Sequence, residues 1–138
     1  MNTAIKQQAT FGSADGLTLA LGLIVSLSGQ PHAVVKAALG AGIAEFVGMA
    51  AGAWLSDGSG GIWPPLANGG AAFGACLIPA LPYLFLAGSV ALSASLVLVV
   101  AVAAVIAWLR PEKGVLAVVQ TYGILAAAAL LCFAASLI

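Results

Sequence analysis

Charge is what this chain has least of. Of 138 residues, four are basic and four acidic, 6% in all, and the formal net charge is zero. A water-soluble domain is about a quarter charged, so eight charged side chains cannot cover a water-facing surface of this size. That excludes a soluble globular domain. Disorder needs low hydrophobicity and high charge, and it is excluded by a chain that is 63% hydrophobic with a mean hydropathy of +1.18. Four basic residues leave no electrostatic footprint for nucleic acid. The two cysteines, Cys76 and Cys132, form no CxxC pair, Cys/His cluster or disulfide framework. Both fall in apolar runs and read as small core residues. There is no phosphate-binding loop, no GxGxxG after a strand, no HExxH and no Ser/His/Asp set. A hydrolase or a nucleotide-driven pump therefore has nothing to stand on; no enzyme and no resident cofactor are expected. What remains is an integral membrane protein whose solvent is mostly lipid.

Five long apolar segments are there instead, over about residues 5–28, 33–55, 66–86, 89–109 and 115–138, which is 24, 23, 21, 21 and 24 residues. A bilayer core of about 30 Å needs about 20 helical residues, so each is long enough to span. A β-barrel would show strands of about ten residues with alternating polarity, and nothing alternates here. Spanning without a barrel means helices, because the backbone must satisfy its own polar groups in lipid. The expected architecture is all-α, a single five-helix transmembrane domain over residues 1–138. The first segment is not read as a signal peptide: Asp15 and Gly16 interrupt it and no A-x-A site follows. The connections are short turns, the longest being the Gly/Ser-rich stretch over residues 56–65. With five spans, Lys6, Arg110 and Lys113 lie on one side and Lys36 on the other. The basic excess places the N-terminus in the cytoplasm. Short loops favour a bacterial cytoplasmic membrane.

Six of the eight charged residues sit at or near segment ends: Lys6, Lys36, Asp57, Arg110, Glu112 and Lys113. Asp15 and Glu45 do not. They are the eleventh residue of the first segment and the thirteenth of the second, so in antiparallel neighbours both carboxyls fall near the bilayer midplane, with no Lys or Arg at that depth. An ionised carboxylate there costs at least about 2.5 to 3.5 kcal/mol. Either both are protonated, or a cation or a wet path stabilises them. The bland alternative is a protonated carboxyl serving as interhelical glue. Met49 follows Glu45 by four residues and so shares its helix face. A carboxylate with a thioether suits borderline or soft transition metals, whereas Mg²⁺ and Ca²⁺ prefer all-oxygen sites. Thr18, three residues after Asp15, reads as bonded back to its own helix.

Small residues recur every fourth position at Gly12, Gly16 and Ala20, and again at Gly40, Ala44, Gly48 and Gly52. Such ladders let helix backbones approach closely, within the chain or across a homodimer seam. Pro79 and Pro82 should kink or break the third helix. Asn68 and Gln120 read as structural, and His32 as a solvated turn residue.

These residues resemble a known family. The run from Ala14 through Asp15, Gly16, Leu17 and Thr18 to Leu27, Ser28 and Gly29, and the run from Gly48 through Met49, Ala50, Ala51 and Gly52 to Leu55 and Ser56, look like the first two helices of the vacuolar iron transporter family. Members open the first helix with DGL(T) and close the second with SMA-x-G-E-(F/Y)-x-S. Pro79-Ala80-Leu81-Pro82-Tyr83 resembles the family's P-x-LPY ending of the third helix. The last two helices match in hydropathy only. The resemblance implies a homodimer, an ion path lined by the first two helices at its interface, and exchange of Fe²⁺ or Mn²⁺ for protons. It maps the family's aspartate to Asp15 and its methionine to Met49, with Glu45 where many members carry an acid. Three departures stand out. The glutamate of G-E-(F/Y) is Ala53, an acid seven residues before the DGL aspartate in some members is Gln8, and the long cytosolic metal-binding domain is replaced by the 56–65 turn. Shorter, nodulin-like members also lack that domain.

The expectation is therefore a homodimeric metal/proton antiporter that moves Fe²⁺ or Mn²⁺ as cargo out of the cytosol, with Asp15, Glu45 and Met49 as its metal site. The alternative is a non-transporting subunit or scaffold of a larger membrane complex that keeps the same fold.

Overall fold

Long apolar runs leave the backbone one way to satisfy its own hydrogen bonds without water, and the chain takes it. The computed structural model describes residues 3–56, 61–110 and 114–135. It is helical almost throughout: α1 (Thr3–Leu27), α2 (Pro31–Ser56), α3 (Trp63–Leu77), a 3-10 segment (Ile78–Leu84), α4 (Gly88–Leu109) and α5 (Val115–Ala135). Among the described residues there is no strand. Asp57, Glu112, Lys113 and residues 136–138 of the last expected segment lie outside the described residues. Four helices, α1, α2, α4 and α5, are long and apolar enough to cross a membrane.

The third expected segment differs from a single helix over 66–86. The α-helix starts earlier, at Trp63, with Pro64 in its first turn, where a missing N–H breaks no bond. It stops at Leu77. Pro79 and Pro82 cannot donate to an α-helical ladder, and the chain tightens there into the 3-10 segment. The expected break is where the prolines put it.

A second difference concerns neighbours. α1 and α2 were expected side by side. Instead α3 packs most extensively on α1 and then on α2, and α1 and α2 touch each other far less. The glycines of the first ladder cause this. A Cβ on Gly12 would strike the carbonyl oxygen of Asn68, and one on Gly16 the carbonyl oxygen of Ala72. Only hydrogen fits at either place, so α3 lies backbone to backbone on α1. The pairs 12 with 68 and 16 with 72 ascend together, so α1 and α3 run parallel. α2 runs against them: Gly69 faces the Phe46 carbonyl, and the Cys76 thiol donates to the Ala38 carbonyl at 3.6 Å. The Tyr122 hydroxyl donates to the Val100 carbonyl at 3.0 Å, which ties α5 to α4.

The core forms where these helices meet. Leu17, Leu21 and Ile24 of α1 bury against Val34 and Ala38 of α2, Cys76 of α3, and Val99 and Ile106 of α4. The outer faces of α4 and α5 present exposed apolar side chains such as Val97, Val105, Leu130 and Phe133, a surface that suits lipid. Trp54, Trp63 and Trp108 are all exposed. They close α2, open α3 and close α4. All three thus gather at one end of the bundle, with Lys6 and Arg110, as aromatic and basic residues do at a membrane–water boundary.

Candidate functional site

α1 starts and α2 ends at the same end of the bundle. Asp15 lies twelve residues from the start of α1, and Glu45 eleven from the end of α2. At about 1.5 Å per residue both carboxyls stand about 17 Å in from that end. The structure brings them together: both line one cavity of about 550 Å³, with Thr18, Ser26 and Cys132. Among the described residues, no Lys, Arg or His lines it. Two acids therefore face one cavity with no described basic side chain in its lining to balance them. Asp15 is exposed in the single chain and Glu45 half-buried. One Glu45 oxygen, Oε2, is buried and finds no hydrogen-bond partner among the described residues. A buried carboxylate oxygen without a donor is costly unless a proton or a cation meets it. Thr18 bonds back as expected, its hydroxyl donating to the Ala14 carbonyl at 2.8 Å. Its oxygen keeps lone pairs to offer.

Met49 is not in that cavity. It is half-buried and lines a second one of about 420 Å³, with Gln8, Phe11, Ala53, Ser56 and Asn68. The two cavities follow one another along α1 and α2, from 7–11 to 15–27 on α1 and from 56–48 to 45 on α2. Gln8 and Ala53, the two positions where the resemblance leads one to expect acids, meet in the Met49 cavity, whose lining among the described residues is uncharged.

Two residues carry more than the sequence suggested. Asn68, only 3% exposed, joins three helices: its amide nitrogen donates to the Met49 carbonyl at 3.3 Å, and it lies against Gly12. Its Oδ1 is buried with no partner among the described residues. Arg110, read as a turn charge, folds back on α5 and donates to Gln120 Oε1 at 2.7 Å and Thr121 Oγ1 at 3.3 Å. Two polar side chains ten and eleven residues beyond an arginine, across a Pro/Gly turn, are the trace of this in the sequence. Of the cysteines, Cys76 is a core residue as read, whereas Cys132 is half-buried and lines the carboxyl cavity.

Among the described residues no three His, Cys, Asp or Glu side chains group closely enough to hold a metal ion. Asp15 and Glu45 supply two carboxyls; the remaining ligands of a divalent ion would be Thr18, water, backbone or a second copy of the chain. Comparison with protein-family models, with curated proteins and with solved structures finds no match to this chain.

Proposed function

We propose that the chain is a five-span, homodimeric antiporter that exchanges Fe²⁺ or Mn²⁺ for protons, of the short, nodulin-like type within the vacuolar iron transporter family. The observation that carries this is the pairing of Asp15 and Glu45 in one cavity, deep between the helix ends, with no basic residue among the described ones that line it. Such a pair is stable when it holds protons or a divalent cation, and unstable when it holds neither. Arrival of the metal displaces the protons, and returning protons release the metal. The coupling needs no further machinery. The thioether of Met49, in the adjoining cavity, biases the route toward transition metals.

The fifth span is α3 with the 3-10 segment. Fifteen α-helical residues rise about 22 Å and seven 3-10 residues about 14 Å, enough for a core of about 30 Å. An odd number of spans, with Lys6 and Arg110 at the end where α1 begins, favours a cytoplasmic N-terminus, and the short connections favour a bacterial cytoplasmic membrane. The second copy would sit on α2, whose Gly40, Ala44, Gly48 and Gly52 are exposed, and would close the open side of the site next to Asp15.

Gln8 and Ala53 in the Met49 cavity, where the resemblance leads one to expect acids, favour a second reading: a non-transporting subunit of a larger membrane complex. Proteoliposomes decide between them. Under an imposed proton gradient, internal metal and pH are followed together with Fe²⁺, Mn²⁺ and Ca²⁺ offered in turn. The antiporter gives gradient-driven Fe²⁺ or Mn²⁺ flux with counter-moving protons, reduced to the level of empty vesicles in Asp15→Asn and Glu45→Gln. Unchanged flux in both variants defeats the mechanism. No flux from folded wild-type protein, with a stable partner in mild detergent, selects the subunit.

A further inference from the structure

We propose that the Phe11 side chain is a gate on the ion path: its ring divides the Met49 cavity from the Asp15–Glu45 cavity, and it opens by swinging into a third cavity between α1, α4 and α5. Among the described residues none lines both the Met49 cavity and the carboxyl cavity. On α1 the division falls between Phe11, the last α1 residue of the first cavity, and Asp15, the first of the second. The two are four residues apart and share a helix face. Side chains on a helix lean toward its start, so the Asp15 carboxyl leans back over the Phe11 turn. An ion moving from Met49 to Asp15 passes that ring.

Phe11 also lines the third cavity, of about 320 Å³, with Ala14, Thr18, Ile106, Ile124 and Leu125. The ring therefore stands on the boundary between two spaces. The third has room for it, since an apolar cavity of about 150 Å³ is enough for benzene, and its wall is mostly apolar. Phe11 is 63% exposed, so little packing holds the ring, and a side chain of that kind changes rotamer in picoseconds to nanoseconds. The backbone does not share the motion. Gly12 and Gly16 lie against the Asn68 and Ala72 carbonyls, which fixes α1 on either side of the gate. A mobile ring on a fixed backbone, with one cavity to block and another to withdraw into, is what a side-chain gate requires. An apolar constriction also holds back water. Antiport needs that, because an unbroken wet path would let protons leak past the acid pair.

The gate rests on the antiport reading for its purpose, so its test reads the barrier without transport. Cys132 lines the carboxyl cavity and reports access to it. A charged, membrane-impermeant methanethiosulfonate is added to sealed vesicles of known orientation from the side where α1 begins. Labelling of Cys132 is followed by mass spectrometry, with Cys132→Ser as the blank. A gate open a tenth of the time or less makes wild-type labelling slow, and Phe11→Ala should speed it by about tenfold or more. Ala14→Leu keeps the ring but fills the space it withdraws into. It should label more slowly than wild type, and adding Phe11→Ala to it should restore the fast rate. Labelling from the opposite side should be the same in every variant. An unchanged near-side rate in Phe11→Ala, a double variant that stays slow, or a parallel change from the opposite side would each overturn the gate. Metal flux is read separately in the same vesicles. If wild type carries none while the labelling pattern holds, the antiporter falls and the barrier between the two cavities stands.

Discussion

α1 and α2 carry the same device, a small residue every fourth position, and the fold uses it in opposite ways. On α1 the ladder is consumed inside the chain: Gly12, Gly16 and Ala20 are buried, and two of them touch the backbone of α3. On α2 the ladder faces outward. Gly40, Ala44, Gly48 and Gly52 are exposed, and a Cβ added at Gly40, Gly48 or Gly52 would meet nothing within 4 Å. A close-approach face that approaches nothing is out of keeping with a helix of this kind. The difference teaches that the spacing of small residues fixes where a backbone can come close, not whose backbone it will be.

One methyl group breaks the comparison most sharply. Gly16→Ala puts a Cβ into the Ala72 carbonyl, a backbone atom that cannot swing aside, so α1 and α3 must part. Overpacking of this kind costs about 1–3 kcal/mol. Gly48→Ala adds the same atom to open space, and relief of glycine's helix penalty should stabilise the monomer by about 0.5–1 kcal/mol. Thermal or denaturant unfolding in detergent, at a dilution where the chain is monomeric, should therefore move in opposite directions for the two variants. Shifts of the same sign would mean the two ladders are not different.

The next effect is on self-association. Gly48→Leu leaves the monomer fold intact but removes the close approach that a second copy would use. The expected loss is about 1–2 kcal/mol of dimer stability, five- to thirtyfold in dissociation constant. Sedimentation or crosslinking across a detergent dilution series reads it. An unchanged monomer–dimer balance would leave the α2 ladder without an explanation and would place the homodimer, if there is one, on another face.

Much of this was legible from residue spacing. Helix lengths follow from run lengths, the break after Leu77 from Pro79 and Pro82, and the shared depth of Asp15 and Glu45 from counting residues from each helix end. What was not legible is lateral order. Nothing in the sequence says that α3 inserts between α1 and α2, because the two ladders look alike until one knows which backbone lies against Gly12 and Gly16. The structure sets Glu45 and Met49 in different cavities for a related reason. Four residues along a helix keep the face but move about 6 Å along the axis, enough to carry Met49 past the carboxyl cavity and into the one that holds Phe11 and Asn68. Arg110 was legible as a charge at a span end, but not as a side chain folded onto Gln120, since that needs the α4–α5 hairpin to exist first.

That separation yields the smallest expected effect and the finest distinction. If Met49 is a waypoint beside the carboxyl pair and not a member of it, Met49→Leu should spare most of the structure. The swap nearly conserves volume and should cost less than about 1.5 kcal/mol in stability. Asn68 bonds to the Met49 backbone carbonyl, which the swap keeps. Proton-coupled flux should persist, because Asp15 and Glu45 are untouched. Discrimination should fall several-fold: the advantage of Fe²⁺ or Mn²⁺ over Ca²⁺ narrows once the soft sulfur is gone and only oxygen ligands remain. Competition of the three ions in the same vesicles measures it. Full loss of flux in Met49→Leu would put the thioether in the carboxyl site itself, with the two cavities joined in the working state. An unchanged ion preference would make Met49 a packing residue, and the choice of metal would then rest on the carboxyl pair alone.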